Sequence, residues 1–299
     1  MSTIENRYDF VYLFDCQDGN PNGDPDSDNS PRFDPETFQG LVSDVCLKRK
    51  IRDYVIQAVS ASAVNPERNN IYVQSGATLE LQQGEAYKAL SIEWKDTKAN
   101  KDDIPAAADW MCKHFFDVRT FGAVMSTDRF NCGQVRGPLQ ITFARSVDRI
   151  LPYEHGISRV AYTKEEKTKA SKGSTELGRK HTIPYGLYVA HGYVNPFFAE
   201  KTGFDLADLE LVRKAMANLF DLDRSAARGN MAVRGLYIFK HESKLGNAPA
   251  QSLFDRIVIR RRDGVESPRT FADYEVTLTE TPPLPQGVTV TDGLHETLA

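Results

Sequence analysis

The chain has 299 residues, of which 40% are apolar and 26% are charged, and its net charge is −4. This composition is typical of a globular protein with one large domain or two smaller ones. Its apolar stretches fall short of the roughly 20 residues that span a membrane, and its first ten residues lack the basic and apolar regions of a secretory signal.

The four cysteines form no CxxC pair, and the six histidines are scattered without the spacing of a zinc site. We therefore expect a cytoplasmic protein with reduced thiols, no metal and no cofactor.

Charge is unevenly distributed along the chain. Residues 1–47 carry ten acids and two bases, and residues 270–299 carry five acids and no base. Residues 145–182 instead carry nine bases against five acids, and residues 213–262 carry eleven against four. A moderate net charge can therefore hide basic faces suited to a polyanion, although each cluster could equally be solvated surface.

The first predicted element is a buried strand at residues 7–14, RYDFVYLF, which is rich in aromatic and β-branched residues. A polar stretch follows at 20–32, NPNGDPDSDNSPR, with three Asp, three Asn and three Pro. Apolar side chains at helical spacing from Leu41 to Val59 then predict an amphipathic helix, which Asp34 or Thr37 could cap.

The segment 62–110 predicts short helices at LELQQGEAYKAL and IPAAADWMCKHFF, as an insertion beside the main core. Two strands are predicted next, FFDVRTFGAVM at 115–125 and PLQITFARSVDRI at 138–150. Residues 152–182 are basic and too polar to build a core, which favours flexible strands or a mobile arm.

The remainder predicts a strand at IPYGLYVAHGYVNP and a helix at TGFDLADLELVRKAMANLFD, capped by Asp205. GLYIFKHE and RIVIRRRDG predict further strands, and the acidic residues 270–299 are expected to be partly ordered at best. Without the insertions, the order strand, helix, strand, strand, helix, strand predicts an α+β, ferredoxin-like (RRM-like) fold. A general α+β domain and two domains divided near residue 110 are alternatives.

The polar stretch raises two metal hypotheses. Asp24, Asp26 and Asp28 alternate as at the start of an EF-hand loop, but Asn29 and Pro35 stand where that loop needs Gly and Glu. A metal-dependent nuclease would use the same carboxylates, but no nearby His or Lys completes an acid–base set, and Asp–Pro pairs are ordinary turn formers.

A nucleic-acid interface draws on more features. Asn20 and Asn22 offer amides, Arg32 can hold a phosphate in bidentate fashion, and Lys48 and Arg52 share a helix face. Arginines beside aromatic residues, as in VRTFG and VRGLYIF, suit single-stranded nucleic acid, although core packing is the more common role of an aromatic residue in a strand.

Several stretches resemble one family closely: DGNPNGDPDSDNSPR with DPETFQGLVSDVCLKRKIRDYV, then FFDVRTFGAVMS and RGPLQITFARSVD, and finally ARGNMAVRGLYIFKHES. Together they resemble the repeated backbone subunit of CRISPR type I surveillance complexes (Cascade), specifically of the type I-C branch. The resemblance covers residues 8–245 and is strongest at 18–54.

The resemblance implies a non-catalytic subunit with a ferredoxin-like palm, a helical fingers insertion and an extended thumb. Copies stack head to tail along one CRISPR guide RNA, beside other Cascade subunits, and expose guide bases for pairing with target DNA. It implies these segments: palm 1–61 with polar loop 18–36, fingers 62–110, palm strands 111–151, thumb 152–182, palm 183–269 and acidic tail 270–299. Related type III subunits cleave target RNA through an Asp, so a metal-dependent ribonuclease remains the alternative function.

Carried onto this chain, the resemblance gives a set of expected RNA contacts. The first rank is Asn20, Asn22, Arg32, Lys48, Arg49 and Arg52, with Lys48 and Arg52 as the strongest pair. The second rank is Arg119, Arg136, Arg228 and Arg234. The thumb would contribute Arg159, Lys164, Lys167, Lys169, Lys172, Arg179 and Lys180.

Overall fold

The computed structural model describes residues 2–93, 102–159 and 176–298. Its helices are α1 Asp44–Ser60, α2 Leu79–Ala89, α3 Asp103–His114, α4 Phe116–Phe121, α5 Pro196–Thr202, α6 Leu206–Ala217, α7 Leu219–Leu222 and α8 Ala250–Phe254. Its strands are β1 Tyr8–Gly19, β2 Gly23–Asp24, β3 Ser30–Pro31, β4 Gln39–Val42, β5 Gly122–Met125, β6 Gly133–Arg136, β7 Leu139–Ile141, β8 Ala144–Arg149, β9 Tyr153–Arg159, β10 Glu176–Val194, β11 Asn230–His241, β12 Ile257–Arg261, β13 Tyr274–Leu278 and β14 Val288–Asp292. None of these helices has the length and apolarity of a membrane span.

A large antiparallel sheet forms the centre of the molecule. Its strand order is β14-β11-β1-β10-β8-β4, and β7 and β9 also pair with β10. Strand β1 is buried along most of its length because both faces of the sheet are covered. Tyr12 and Phe14 pack in the core shared with α1 and α6, whereas Val11 and Leu13 pack towards α8 and β12. The predicted first strand and the mixed α+β class are confirmed.

Along the chain, β1, α1, β8, β10, α6 and β11 follow the predicted alternation of strands and helices. In the sheet the four strands lie in the order β11-β1-β10-β8, and each neighbouring pair is antiparallel. The predicted helices at α2, α3 and α6 are present, and Asp205 caps α6 through a capping box with Asp208.

The first long helix begins later than predicted. Ser43 is its N-cap and accepts a hydrogen bond from the Cys46 N–H at 3.3 Å. Asp34 instead closes a local turn by accepting from the N–H groups of Glu36 and Thr37. The helix cannot begin earlier because the intervening residues form β4, which pairs with β8.

The strand predicted at 115–125 is wrong over its first half. Residues 116–121 form α4, all of them buried, and the chain then turns at Gly122, whose φ of 81° favours glycine, into β5. The β propensity of this stretch is overridden by tertiary contacts, because the Asp117 carboxylate accepts hydrogen bonds from the N–H groups of Tyr72 and Val73. Helix α4 thereby joins the main core to a second core formed with α2 and α3.

Two peripheral regions are more regular than expected. Strand β9 pairs with residues 176–182 of β10 as a hairpin arm that continues beyond the main sheet. In the acidic C-terminal region, β13 pairs with β12, and β14 lies at the edge of the main sheet beside β11. The expectation of partial order is therefore wrong for these two strands.

Candidate nucleic-acid interface

A groove of about 730 Å³ lies where the polar loop, the start of α1 and the loop before β11 meet. It brings together six residues that the sequence analysis nominated: Asn20, Asn22, Arg32, Arg49, Arg52 and Arg228. Residues from three separate parts of the chain therefore converge on one surface.

Close contact between two loops forms one wall of this groove. The Asn20 N–H donates to the Ala227 carbonyl at 2.8 Å. A Cβ at Gly19 would lie 1.9 Å from the Arg228 carbonyl oxygen, and Gly229 has a φ of 62°. No side chain fits at position 19, so glycine is needed there for the start of the polar loop to lie against the loop before β11.

The two amides hold this wall together. The Asn22 side-chain oxygen accepts from the N–H and the hydroxyl of Ser43, at 2.9 and 3.0 Å, and so ties the loop to the α1 N-cap. The Asn20 amide donates to the Asn29 carbonyl at 2.6 Å, and its own oxygen is buried without a hydrogen-bond partner. These contacts give both amides a structural role at the groove.

Two arginines flank the amides. Arg32 is half-buried beside Asp24 at 3.2 Å, and its Nε has no hydrogen-bond partner. The Nε of Arg228 lies 3.1 Å from the Asp223 carboxylate, but without hydrogen-bond alignment. These Nε atoms are buried, so an incoming phosphate would be held by the terminal guanidinium nitrogens of the two partly exposed side chains, which line the groove.

The basic residue of α1 that is most accessible to a ligand is not one of the two that the sequence analysis ranked first. Lys48 pairs with Asp44 at 2.9 Å, Arg52 pairs with the buried Asp117 at 2.8 Å, and both side chains are only 13% exposed. Lys48 does not line the groove. Arg49 is 46% exposed and does line it, so Arg49 is the most accessible base of this helix turn.

Asp223 is a residue that sequence reasoning missed. Its carboxylate contacts Lys50, Arg49 and Arg228, which links α1 to the loop before β11. Burial lowers the pKa of the Lys50 amine, and the hydrogen bond to Asp223 opposes that effect. Lys50 and Asp223 are about 170 residues apart in the sequence, so no local spacing could predict that they are in contact.

The groove also has an apolar floor that the sequence did not predict. Val45 is 64% exposed and Val73 is 45% exposed, and both line the groove beside Cys46. Exposed apolar side chains next to arginines suit a ligand with both charged and flat apolar parts, such as a nucleotide.

Three second-rank arginines lie elsewhere. Arg119 is 1% exposed and all its donors are engaged, chiefly by Asp208 at 2.8 and 2.9 Å. The expectation that Arg119 contacts RNA is therefore wrong, because this side chain is part of the core. Arg136 covers the Phe198 ring at 4.4 Å, and Arg234 pairs with Asp15 at 2.8 Å; neither lines the groove.

The base of the hairpin arm lies near the groove. The Lys180 amine donates to the Ala226 carbonyl at 2.5 Å, and Arg179 is largely exposed beside Glu154 at 3.2 Å. Only the backbone of Arg159 is described. The other expected thumb contacts lie outside the described residues: Lys164, Lys167, Lys169 and Lys172.

The Asp side chains of the polar loop make separate contacts. Asp24 accepts from the Asp26 N–H and pairs with Arg32, whereas Asp28 is 73% exposed and lies 3.7 Å from His181. Across residues 2–93, 102–159 and 176–298, no group of three or more His, Cys, Asp or Glu side chains could hold a metal ion.

The fold and the groove together define an α+β protein with a cationic cleft at one end of a large antiparallel sheet. The chain belongs to the Cas7 family, because the family model for CRISPR-associated protein Cas7 matches residues 6–279. A curated relative from Haloferax volcanii, also described as CRISPR-associated protein Cas7, is 27% identical over 301 residues, which cover 94% of this chain and 82% of the relative.

Two solved structures show a partial likeness. A chain of a "CRISPR RNA-guided surveillance complex, pre-nicking" is 12% identical, with a TM-score of 0.49 and coverage of 78% of each chain. A chain of a "CRISPR RNA-guided surveillance complex" is 17% identical, with a TM-score of 0.35 and coverage of 77% of this chain and 68% of that one. Both TM-scores lie below 0.5, so the strand order of the main sheet is taken from the pairing of this chain's own strands.

Proposed function

We propose that this protein is a non-catalytic backbone subunit that binds a CRISPR guide RNA along the groove described above. The observation that carries the proposal is the convergence of Arg32, Arg49 and Arg228 on one groove with an apolar floor. Membership of the Cas7 family supports the same conclusion.

The chemistry of the groove suits a guide RNA whose sequence is recognised by base pairing and not by contacts with the protein. Arginine donors hold phosphates without reading sequence, so binding tolerates any guide and weakens with salt. The exposed apolar side chains of Val45 and Val73 can contact a ribose or a base face. The guide remains free to present its other bases to target DNA.

Further parts of the proposal follow from the sequence resemblance. The palm is ferredoxin-like, which the strand order β11-β1-β10-β8 supports. The hairpin arm is the base of the thumb, copies stack head to tail, and the complex is a cytoplasmic type I-C Cascade. The strings at 18–54 are the main support for the type I-C assignment.

The direct test measures RNA binding by the double variant Arg32→Ala, Arg49→Ala. Loss of two phosphate contacts lowers the slope of log K against log salt by about 1.4, at about 0.7 per phosphate for a single strand. The matched control is Lys201→Ala, Arg260→Ala, which removes the same charge from exposed positions outside the groove. Equal affinity and equal salt slope in both variants, with thermal unfolding unchanged, would refute the assignment of the groove.

The metal-dependent ribonuclease remains the alternative to a non-catalytic subunit. Its test incubates the assembled complex with labelled complementary RNA and Mg²⁺, and compares wild type with Asp24→Asn, Asp26→Asn and Asp28→Asn. Uncleaved RNA in every case is the expected outcome. Specific cleavage that one of these substitutions abolishes would show that the polar loop is catalytic.

A further inference from the structure

A second pocket, of about 300 Å³, lies at the base of the hairpin arm, and nothing in the groove accounts for it. One wall is the end of β8 with the residues that follow, and another is the start of the main-sheet part of β10. The third wall is the β12–β13 hairpin and its connecting turn. Its lining includes three arginines and an exposed tyrosine, namely Arg149, Arg261, Arg269 and Tyr153.

The charges in this pocket are only partly compensated. Arg261 lies 3.5 Å from Asp148 and donates to the Glu266 carbonyl at 2.6 Å, and Asp148 also accepts from the Tyr274 hydroxyl at 2.8 Å. Arg261 and Asp148 therefore compensate each other's charge. The remaining carboxylate of the pocket lining is that of Glu266, which is exposed, and the Asp273 carboxylate lies beside the Arg269 backbone at 2.7 Å.

Neither of these two guanidinium groups is held by a carboxylate within the part of the chain that the structure describes. The Arg269 guanidinium donates to the carbonyl of its neighbour Pro268 at 3.0 Å, and its backbone N–H donates to the Asp273 carboxylate at 2.7 Å. The Arg149 side chain makes no hydrogen bond or ion pair in that part of the chain, and both side chains are exposed. Two guanidinium groups without a carboxylate partner around one small polar pocket are suited to a phosphate.

The rim of the pocket adds an aromatic surface. Tyr153 is 45% exposed and Leu151 is 58% exposed, and both line the pocket beside the arginines. An exposed aromatic ring beside guanidinium groups is the combination that binds single-stranded nucleic acid through base stacking and phosphate contact.

The arm connects this pocket to the groove. Lys180 reaches the Ala226 carbonyl beside the groove, and Pro184, four residues further along β10, lines the pocket. At about 3.3 Å per residue these two positions lie about 13 Å apart along the strand. The base of the arm therefore extends from the loop beside the groove to the pocket.

We propose that this pocket is a second nucleotide-binding site, in which Arg149 and Arg269 hold a phosphate and Tyr153 stacks on the adjoining base. This inference rests on the proposed function, because it assigns the strand in the groove a second point of attachment. The ligand class is a single-stranded nucleotide unit, and the contact is independent of base identity.

The test measures binding of a labelled oligouridine RNA to the full chain by fluorescence anisotropy over a range of salt. Arg149→Ala, Arg269→Ala is expected to lower the salt slope by about 0.7 for one shared phosphate. Tyr153→Ala is expected to weaken binding about fivefold or more through lost stacking, whereas Tyr153→Phe keeps wild-type affinity. Lys113→Ala, Lys201→Ala is the control of equal charge, at exposed positions outside both the groove and the pocket.

The outcomes separate this inference from the proposed function. Wild-type affinity and salt slope in the pocket variants, together with loss of binding in Arg32→Ala, Arg49→Ala, would overturn the pocket and leave the groove intact. Pocket variants that bind RNA normally but fail to assemble with other protein subunits would also overturn it, in favour of a protein contact. A wild-type chain that binds no RNA would overturn both.

Discussion

Arg119 is the clearest case of a residue whose chemistry depends on where it lies. It is a base in a strand-like string, yet the structure buries it between α4 and the start of α6, with its guanidinium against Asp208. Arg68 contacts the same carboxylate at 2.7 Å, so two helices and a loop share one ion-pair network. A buried base with a full set of acceptors serves the fold and is unavailable to RNA.

We expect Arg119→Ala to lower the free energy of unfolding by about 3–5 kcal/mol, because it leaves Asp208 buried without its main partner. Urea unfolding followed by circular dichroism measures this. The control is Arg145→Ala, which removes an exposed pair with Asp34 and should cost about 0–1 kcal/mol. Equal losses in the two variants would show that the Arg119 network is not a core interaction.

The four cysteines allow a second test at the residue scale. Burial is the main cause that raises the pKa of Cys16, Cys112 and Cys132 to about 12, so their reactive thiolate forms are scarce at neutral pH. Cys46 is only partly buried and lines the groove. We expect maleimide to label Cys46 first in the native protein, and bound RNA to slow that labelling.

Mass spectrometry after timed labelling reads out each cysteine separately. Labelling of Cys46 at the same rate with and without bound RNA would contradict a strand in the groove. Rapid labelling of Cys16 would instead show that the core around β1 opens under the conditions used.

At the scale of elements, the groove depends on how two loops are placed on the sheet. The polar loop leaves β1, and the loop before β11 meets it where Gly19 and Gly229 allow backbone to touch backbone. Asn22 and Ser43 then fix the same loop to the start of α1. Two neighbouring segments of the chain and one distant segment therefore form one wall.

Gly19→Ala tests this contact. The new Cβ would lie 1.9 Å from the Arg228 carbonyl, so the two loops must separate. We expect a loss of about 1–3 kcal/mol in stability, typical of overpacking, together with weaker RNA binding. Gly156→Ala on the hairpin arm is the control, because a Cβ there meets no atom within 4 Å. If Gly19→Ala bound RNA as tightly as Gly156→Ala, the wall would not be part of the interface.

Sequence patterns predicted the elements whose signal is local. The alternation in β1, the apolar stripe and cap of α6 and the composition of α2 and α3 all lie within one segment, and the structure contains each of them. The helical conformation of α4 depends instead on the hydrogen bonds that Asp117 accepts from residues about 45 positions away. Local propensity cannot contain that information.

The same distinction holds for the site. The resemblance and the charges nominated six of the groove residues, but they ranked Lys48 and Arg52 above Arg49 because helical spacing puts those two on one face. Their ion-pair partners Asp44 and Asp117, and their low exposure, become visible only in three dimensions. The role of Asp223 and the apolar floor at Val45 and Val73 depend on tertiary packing in the same way.

In the molecule as a whole, the arginines of both cavities lie among acidic segments of the sequence. The groove includes residues of the acidic N-terminal region, and β13 of the acidic C-terminal region forms part of a wall of the pocket at the arm base. A net charge of −4 is therefore compatible with local clusters of arginines that could bind a polyanion.

The proposed position of the guide RNA, in the groove between the polar loop, α1 and the loop before β11, is tested most directly by photo-crosslinking. The assembled complex carries guide RNA with 4-thiouridine, and the crosslinked peptides are identified after irradiation. We expect crosslinks in residues 20–32, 43–52 and 225–228, and their loss under high salt that releases the RNA. Crosslinks that all lie outside these three segments, in a complex that still holds its RNA, would contradict it.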